Sequence, residues 1–193
     1  MKYINYSGGA VGADMTWETL GNEYNVKTIA FSFKEHKTFS KNKLILTDEE
    51  LHEGWERVLI ASNKMNRYIK HTSPYVRKLL SRNWFQVKNS DAIFAIGKIV
   101  NPNEKGTKYK NSSKYQVVDG GTGYAVSMAI EIDKPVYVFD QNLNKWFKWN
   151  INNFVEIDEP KLTQNFAGIG TREINENGIN AIKSIFDKIK KGG

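Results

Sequence analysis

The chain contains no cysteine, which excludes disulfides, thiolate nucleophiles and cysteine-ligated zinc or iron–sulfur centres. Histidine is scarce: His36, His52 and His71 are scattered, no H-E-x-x-H pattern occurs, and neither a metal site nor a resident cofactor is expected. No apolar run approaches the roughly 20 residues that cross a bilayer. The opening stretch, MKYINYSGG, has no signal-peptide core. A cytoplasmic location with no membrane partner is therefore the expectation. Acidic residues are the minority, 21 against 28 lysines and arginines, which leaves a net charge of +7. A basic surface attracts phosphates, from nucleotides to nucleic acid, although the Lys-, Asn- and Ile-rich composition is the plainer source of this excess. Of the 193 residues, 40% are hydrophobic and 12% aromatic. That is too apolar for a chain dominated by disorder and enough to core a single domain over 1–193.

The apolar pattern gives a strand over Tyr3 to Tyr6, then a helix carrying Met15, Trp17 and Leu20, then a strand over Val26 to Phe31. The polar stretch from Ser32 to Lys43 reads as a loop. Thr47 and Glu50 form a T-x-x-E capping box ahead of a helix with Leu51, Trp55, Val58 and Leu59 on one face. Ser73 and Pro74 open another helix. Ala92 to Ile96 is an almost unbroken apolar run, as expected for a strand covered on both faces. Residues 102–114 are polar and Lys-rich, and a mobile loop is expected there. Pro135 to Phe139 is the next strand, 145–157 a small β extension, Phe166 to Ile169 a last strand, and the stretch through Ile182 and Phe186 a terminal helix. Strand, loop and helix recur in that order, which predicts an α/β fold: a mainly parallel sheet flanked by helices on both faces.

Three strand–glycine–helix junctions stand out. The first, Y-S-G-G-A-V-G-A-D, offers Gly8, Gly9 and Gly12 for tight backbone and close ligand approach, Ser7 as a hydroxyl donor and Asp14 as an acceptor. The second, D-G-G-T-G-Y-A-V-S, offers Gly120, Gly121, Thr122 and Gly123. The third, A-G-I-G-T-R-E-I, offers Gly168, Gly170, Thr171 and Arg172, an arginine suited to bidentate phosphate contact. Helix starts with free amides favour anions, so three such junctions along one sheet edge predict a phosphate-bearing ligand. None matches the P-loop or the dinucleotide G-x-G-x-x-G pattern. Among the histidines, His36, between Lys34 and Lys37, is the one placed to touch a ligand.

These segments resemble the SLOG superfamily, which includes DNA-processing proteins and the "lonely guy" phosphoribohydrolases. SGGAVGAD is similar to its S-G-G-A-x-G-A-D segment, VVDGGTGYAVSMAI to its G-G-T segment, and GIGTREI to its G-S-R segment. The last of these lies near the N-terminus in the family and at the opposite end here. The resemblance therefore implies a circularly permuted, Rossmann-like SLOG domain. It also implies a nucleotide-type pocket and a homo-oligomer, with Trp146, Phe147 and Trp149 as candidate interface residues. The family's hydrolases carry a catalytic glutamate after the second junction, where this chain has Val126 and Ser127. Glu131 lies about two turns further along.

The expected function is thus binding of a nucleotide or nucleotide-derived signal, such as an ADP-ribose derivative or a cyclic oligonucleotide, without efficient turnover. Relatives of this fold sense such signals in bacterial antiviral systems, which implies a sensor or a viral protein that sequesters the signal. Two alternatives remain. One is an N-glycosidase of the phosphoribohydrolase type, with Asp14, Glu173 or Asp119 replacing the missing glutamate. The other is a single-stranded nucleic-acid binder using the lysines from Lys105 to Lys114 with Tyr109 and Tyr115.

Overall fold

A computed structural model describes residues 2–69 and 71–191. In chain order the elements are β1 (Ile4–Ser7), α1 (Ala13–Glu23), β2 (Lys27–Ser32), β3 (Lys43–Ile45), α2 (Asp48–Lys64), α3 (Pro74–Ser81), α4 (Asn83–Asn89), β4 (Ala92–Gly97) and β5 (Ile99–Val100). They continue with β6 (Val117–Val118), α5 (Thr122–Glu131), β7 (Val136–Asp140), β8 (Lys145–Asn150), β9 (Asn153–Ile157), β10 (Asn165–Gly170) and α6 (Glu176–Lys191). The fold is α/β, as the alternation of strand and helix predicts.

Eight strands form one sheet in the order β3-β2-β1-β10-β4-β7-β8-β9. The first six run parallel, and β8 and β9 add an antiparallel edge. All six residues of β4 are buried, which accounts for their apolar run. The last strand lies in the middle: β10 pairs with β1 through Asn5 and Phe166 and with β4 through Phe166 and Ala92. The last strand expected over Phe166 to Ile169 is therefore present, and it lies buried beside β1.

Helices cover both faces. On one, Ala13 and Trp17 of α1 pack with Ile182, Ile185 and Phe186 of α6. On the other, Val58 and Ala61 of α2 pack with Phe85 and Val87 of α4 and Ala125, Met128 and Ala129 of α5. Large side chains buried this fully contribute about 1.5–3 kcal/mol each. Thr47 and Glu50 cap α2 reciprocally, and the Ser73 hydroxyl accepts from Val76 N at the start of α3. Helix α4 has no cue in the sequence pattern. It follows α3 through Arg82 alone, which ends one helix and begins the next.

Two local expectations are corrected or refined. Trp146 is buried against Phe139, with ring centroids 5.3 Å apart, and Phe147 and Trp149 are half-buried on the core. Pairing of β8 with β7 sets these aromatics against the sheet, so none of the three is fully exposed. The Lys-rich stretch is folded back on itself by a Lys105–Lys110 bridge and by Asn111, whose amide donates to the carbonyls of Val100 and Tyr115. Among the described residues no helix is long and apolar enough to cross a membrane.

Candidate functional site

The carboxyl ends of β1, β2, β10 and β4 lie along one sheet edge, and the first and third junctions meet there. Gly170 N donates to Asp14 Oδ1 (3.1 Å), and Ala13 N donates to the Thr171 carbonyl (3.0 Å). Thr171 N in turn donates to the Ile96 carbonyl at the end of β4 (3.0 Å). The pairing of β1 with β10 stops at Asn5 and Phe166. Beyond that point the Asn5 side chain accepts from Gly168 N (3.0 Å) and the Asp14 carboxylate from Gly170 N, so two side chains span the gap between the strands.

At the first junction most amides are engaged by the protein. Gly9 N donates to the Ser7 hydroxyl, Ala10 N to Asp14 Oδ2 and Met15 N to the Ala10 carbonyl. The glycines admit neighbouring protein groups. Side chains at Gly8 and Gly12 would overlap Arg82 and the carbonyls of Thr171 and Arg172 respectively, and Gly12 has φ 102°. The Thr38 hydroxyl donates to the Gly9 carbonyl (2.5 Å), bringing the 33–42 loop onto the same place.

Arg82 occupies the centre of this arrangement and has no signature in the sequence motifs. It is only 5% exposed. Its guanidinium donates to Asn83 Oδ1 (3.4 Å) and, with the Gln86 amide turned to satisfy its neighbours, to the Gln86 oxygen (2.5 Å), which also accepts from Gly8 N (2.9 Å). Arg82 Nε has no partner, and among the described residues Arg82 makes no ion pair. Burial lowers its pKa, opposed by the charge of Asp14; a guanidinium stays protonated regardless. Burial likewise pushes the Asp14 carboxyl up, against the pull of Arg82 and of the amides it accepts from. Arg82 also feels Tyr75 and the exposed Arg172 electrostatically. A buried cation whose hydrogen bonds all go to neutral acceptors is costly by several kcal/mol; Asp14 offsets part of this, and an anion in direct contact would offset more.

The second junction approaches through Asn83, whose amide donates to the Gly121 carbonyl (3.5 Å). Here the backbone is open: Gly120 has φ 66° with nothing within 4 Å of where a Cβ would stand, and a Cβ on Gly121 would meet only Leu80, at 3.8 Å. Gly121, Thr122 and Gly123 amides, at the start of α5, have no acceptor among the described residues. Asp119 is committed to structure. It accepts from Gly120 N (2.8 Å) and Thr107 N (2.6 Å), and although burial alone would raise its pKa, these bonds and Arg67 hold it below the usual value. Arg67 donates to the carbonyls of Gly120 (2.9 Å) and Val118 (2.8 Å).

Of the remaining candidates, Glu173 is exposed, with its amide on the Thr171 hydroxyl (3.4 Å). Glu131 is paired with Lys64, and Val126 and Ser127 are buried in α5. Two shallow surface depressions lie elsewhere. One, apolar, includes Ile60, Trp84 and Met128; the other includes Arg67, Tyr109, Lys110 and Asp119 beside the second junction. The convergent polar groups are at Arg82, and that is where the chemistry concentrates. No family model, curated protein or solved structure matches the chain.

Proposed function

We propose that the chain binds a phosphorylated, nucleotide-type ligand at the sheet edge around Arg82 and does not efficiently cleave it. The observation that carries this reading is a buried guanidinium whose Nε has no partner and which makes no ion pair with Asp14, the acid whose charge it feels, next to three glycine junctions. A phosphate would supply the missing charge, and the unengaged amides of Gly121, Thr122 and Gly123 favour the same kind of group. Ser7, Gly8, Gly9, Gly12 and Asp14 shape one wall, Gly170, Thr171 and Arg172 a second, and Gly120 to Gly123 a third.

The strand order supports the SLOG-like, permuted reading. Counted from β10, the parallel strands fall in the order 4-3-2-1-5-6, running outward from a switch point between β10 and β4. Doubly wound sheets bind ligands at that place. The ligand class proposed is an ADP-ribose derivative or cyclic oligonucleotide, held by a sensor or by a protein that sequesters the signal in anti-phage defence or counter-defence.

Mass spectrometry of small molecules released by denaturing the purified protein, followed by calorimetry with the candidates, tests this reading. A nucleotide recovered intact and bound again supports it. Failure of every nucleoside phosphate to bind overturns it.

A further inference from the structure

Building on the nucleotide reading, we infer that His36 recognises a sugar hydroxyl of the ligand through Nε2, next to the phosphate held at Arg82. His36 lies in the 33–42 loop between β2 and β3, and the loop fixes its imidazole in three ways. Its backbone N donates to the Phe33 carbonyl (2.9 Å). Its ring stacks on Phe33, with centroids 5.1 Å apart and planes 19° apart, and the edge of Tyr75 meets the same Phe33 at 5.4 Å. Its Nδ1 is hydrogen-bonded to the hydroxyl of Ser32 (2.9 Å), a buried residue. Nε2 is the ring nitrogen without a partner among the described residues. The neighbouring Lys34 and Lys37 are exposed, so the histidine alone of this basic run turns inward.

The chemistry follows from the neighbours. Burial, then the charge of Arg82, pulls the His36 pKa down to about 4, so the ring is neutral at physiological pH. A neutral imidazole brings no charge to a phosphate. It offers one donor or one acceptor at Nε2, depending on which way the Ser32 hydroxyl points. A hydroxyl group satisfies either tautomer. In a nucleotide the group bonded directly to the phosphate is the sugar, and the base lies one ring further away. Thr38 of the same loop donates to the Gly9 carbonyl, one residue from the Gly8 that packs on Arg82, and Ser32 ends the strand beside β1, so the loop sets His36 over the first junction, opposite the sugar of a nucleotide whose phosphate sits at Arg82.

The test crosses ligand deletion with residue deletion. Calorimetry compares AMP with 2′,3′-dideoxy-AMP, and GMP with its dideoxy analogue, on wild-type protein, His36→Ala and His36→Asn. Wild type should bind each ribose form about 3–10-fold tighter than its dideoxy form, the range of one neutral hydrogen bond. His36→Ala should weaken the ribose forms by that factor and leave the dideoxy forms unchanged, and His36→Asn, which keeps a donor and an acceptor, should restore part of the preference. Equal weakening of both forms by His36→Ala, or no preference in wild type, overturns the inference while leaving the nucleotide reading standing. No binding of any of the four by wild type overturns the inference, and failure of ADP-ribose and the cyclic nucleotides as well overturns the nucleotide reading with it. Thermal melting of the two variants, and the nitrogen chemical shifts of the wild-type ring, show whether the fold and the Ser32 bond are as described.

Discussion

Gly8 and Arg82 share one space: a methyl group on Gly8 would overlap the Arg82 guanidinium. The glycine that reads in the sequence as room for a ligand is room for the residue proposed to hold it. Gly8 N and Arg82 Nη1 also donate to the same Gln86 oxygen, so strand end and helix start form one unit.

Gly8→Ala should therefore destabilise the protein by about 1–3 kcal/mol, the range for overpacking. In an Arg82→Ala background the same change should cost less, because the guanidinium is gone and only the flexible Gln86 amide, 2.4 Å from the added carbon, still has to move. A double-mutant cycle by chemical denaturation measures the coupling, and strictly additive losses would count against this contact.

Arg82→Met separates stability from binding. Replacing a buried cation that makes no ion pair by an apolar side chain of similar length removes its desolvation cost, against the lost pull on Asp14. Denaturation should show only a small change, while affinity for a nucleoside phosphate falls by about 1.5–3 kcal/mol, the scale of a hydrogen bond to a charged group. Arg172→Ala should matter less, about 0.2–1 kcal/mol, because Arg172 is exposed and screened. The reverse ranking in calorimetry would move the anchor to Arg172.

The parallel sheet is legible in the sequence because its strands are short apolar runs set between helical periods, Ala92 to Ile96 above all. The three junctions are legible because glycine beside a helix start is chemically conspicuous. Arg82 is not, since one arginine in K-L-L-S-R-N-W looks like any surface cation until folding buries it. Helix α4 escapes notice for a related reason: with Trp84, Phe85, Gln86 and Val87 all buried, no amphipathic period remains to be read. Ligand approach explains the glycines only in part. Gly168 admits the Trp17 ring and Gly170 the Ile96 carbonyl, long-range contacts that no local pattern carries.

Asn5 offers a test of the splayed strands. It is fully buried, accepts from Gly168 N and donates to the Thr28 hydroxyl (3.5 Å). Asn5→Ala leaves a buried amide unpaired and should lower stability by about 1–3 kcal/mol. Hydrogen exchange at Gly168 should accelerate in the variant. An unchanged rate would mean that another group holds that amide.

His36 also sets a pH dependence with a definite sign. Its pKa is about 4 in the fold, against an ordinary 6.5, so between those values the unfolded chain holds the extra proton. Stability therefore falls as pH drops through that window and is insensitive to His36 above it. His36→Gln removes the term. The stability of wild type relative to His36→Gln should decline from pH 7 to pH 4.5, as measured by denaturant midpoints. A flat difference would show that the ring is not held neutral.

Binding without cleavage is the prediction with the most at stake. Hydrolysis of an N-glycosidic bond builds positive charge on the sugar, and a carboxylate must stand there or activate water. Asp14 is the acid whose charge acts on Arg82, but its two oxygens accept from Gly170 N and Ala10 N. Both oxygens are turned to the amides that join α1 to its neighbours, and at 5% exposure the carboxylate leaves little approach for an attacking water. Asp119 is bound to two amides of its own, Glu131 to Lys64, and Glu173 is exposed beyond Thr171. General acid–base help is worth about 10²–10⁴-fold in rate, so without it turnover should be negligible. Asp14→Asn should act on stability instead. The new NH₂ would face an amide donor, for a loss of about 1–3 kcal/mol. Chromatography of ADP-ribose, nucleoside monophosphates and cyclic nucleotides incubated with the protein should show no free base beyond the background rate. Multiple turnovers that vanish in Asp14→Asn or Glu173→Gln, with folding intact, would make the protein a hydrolase.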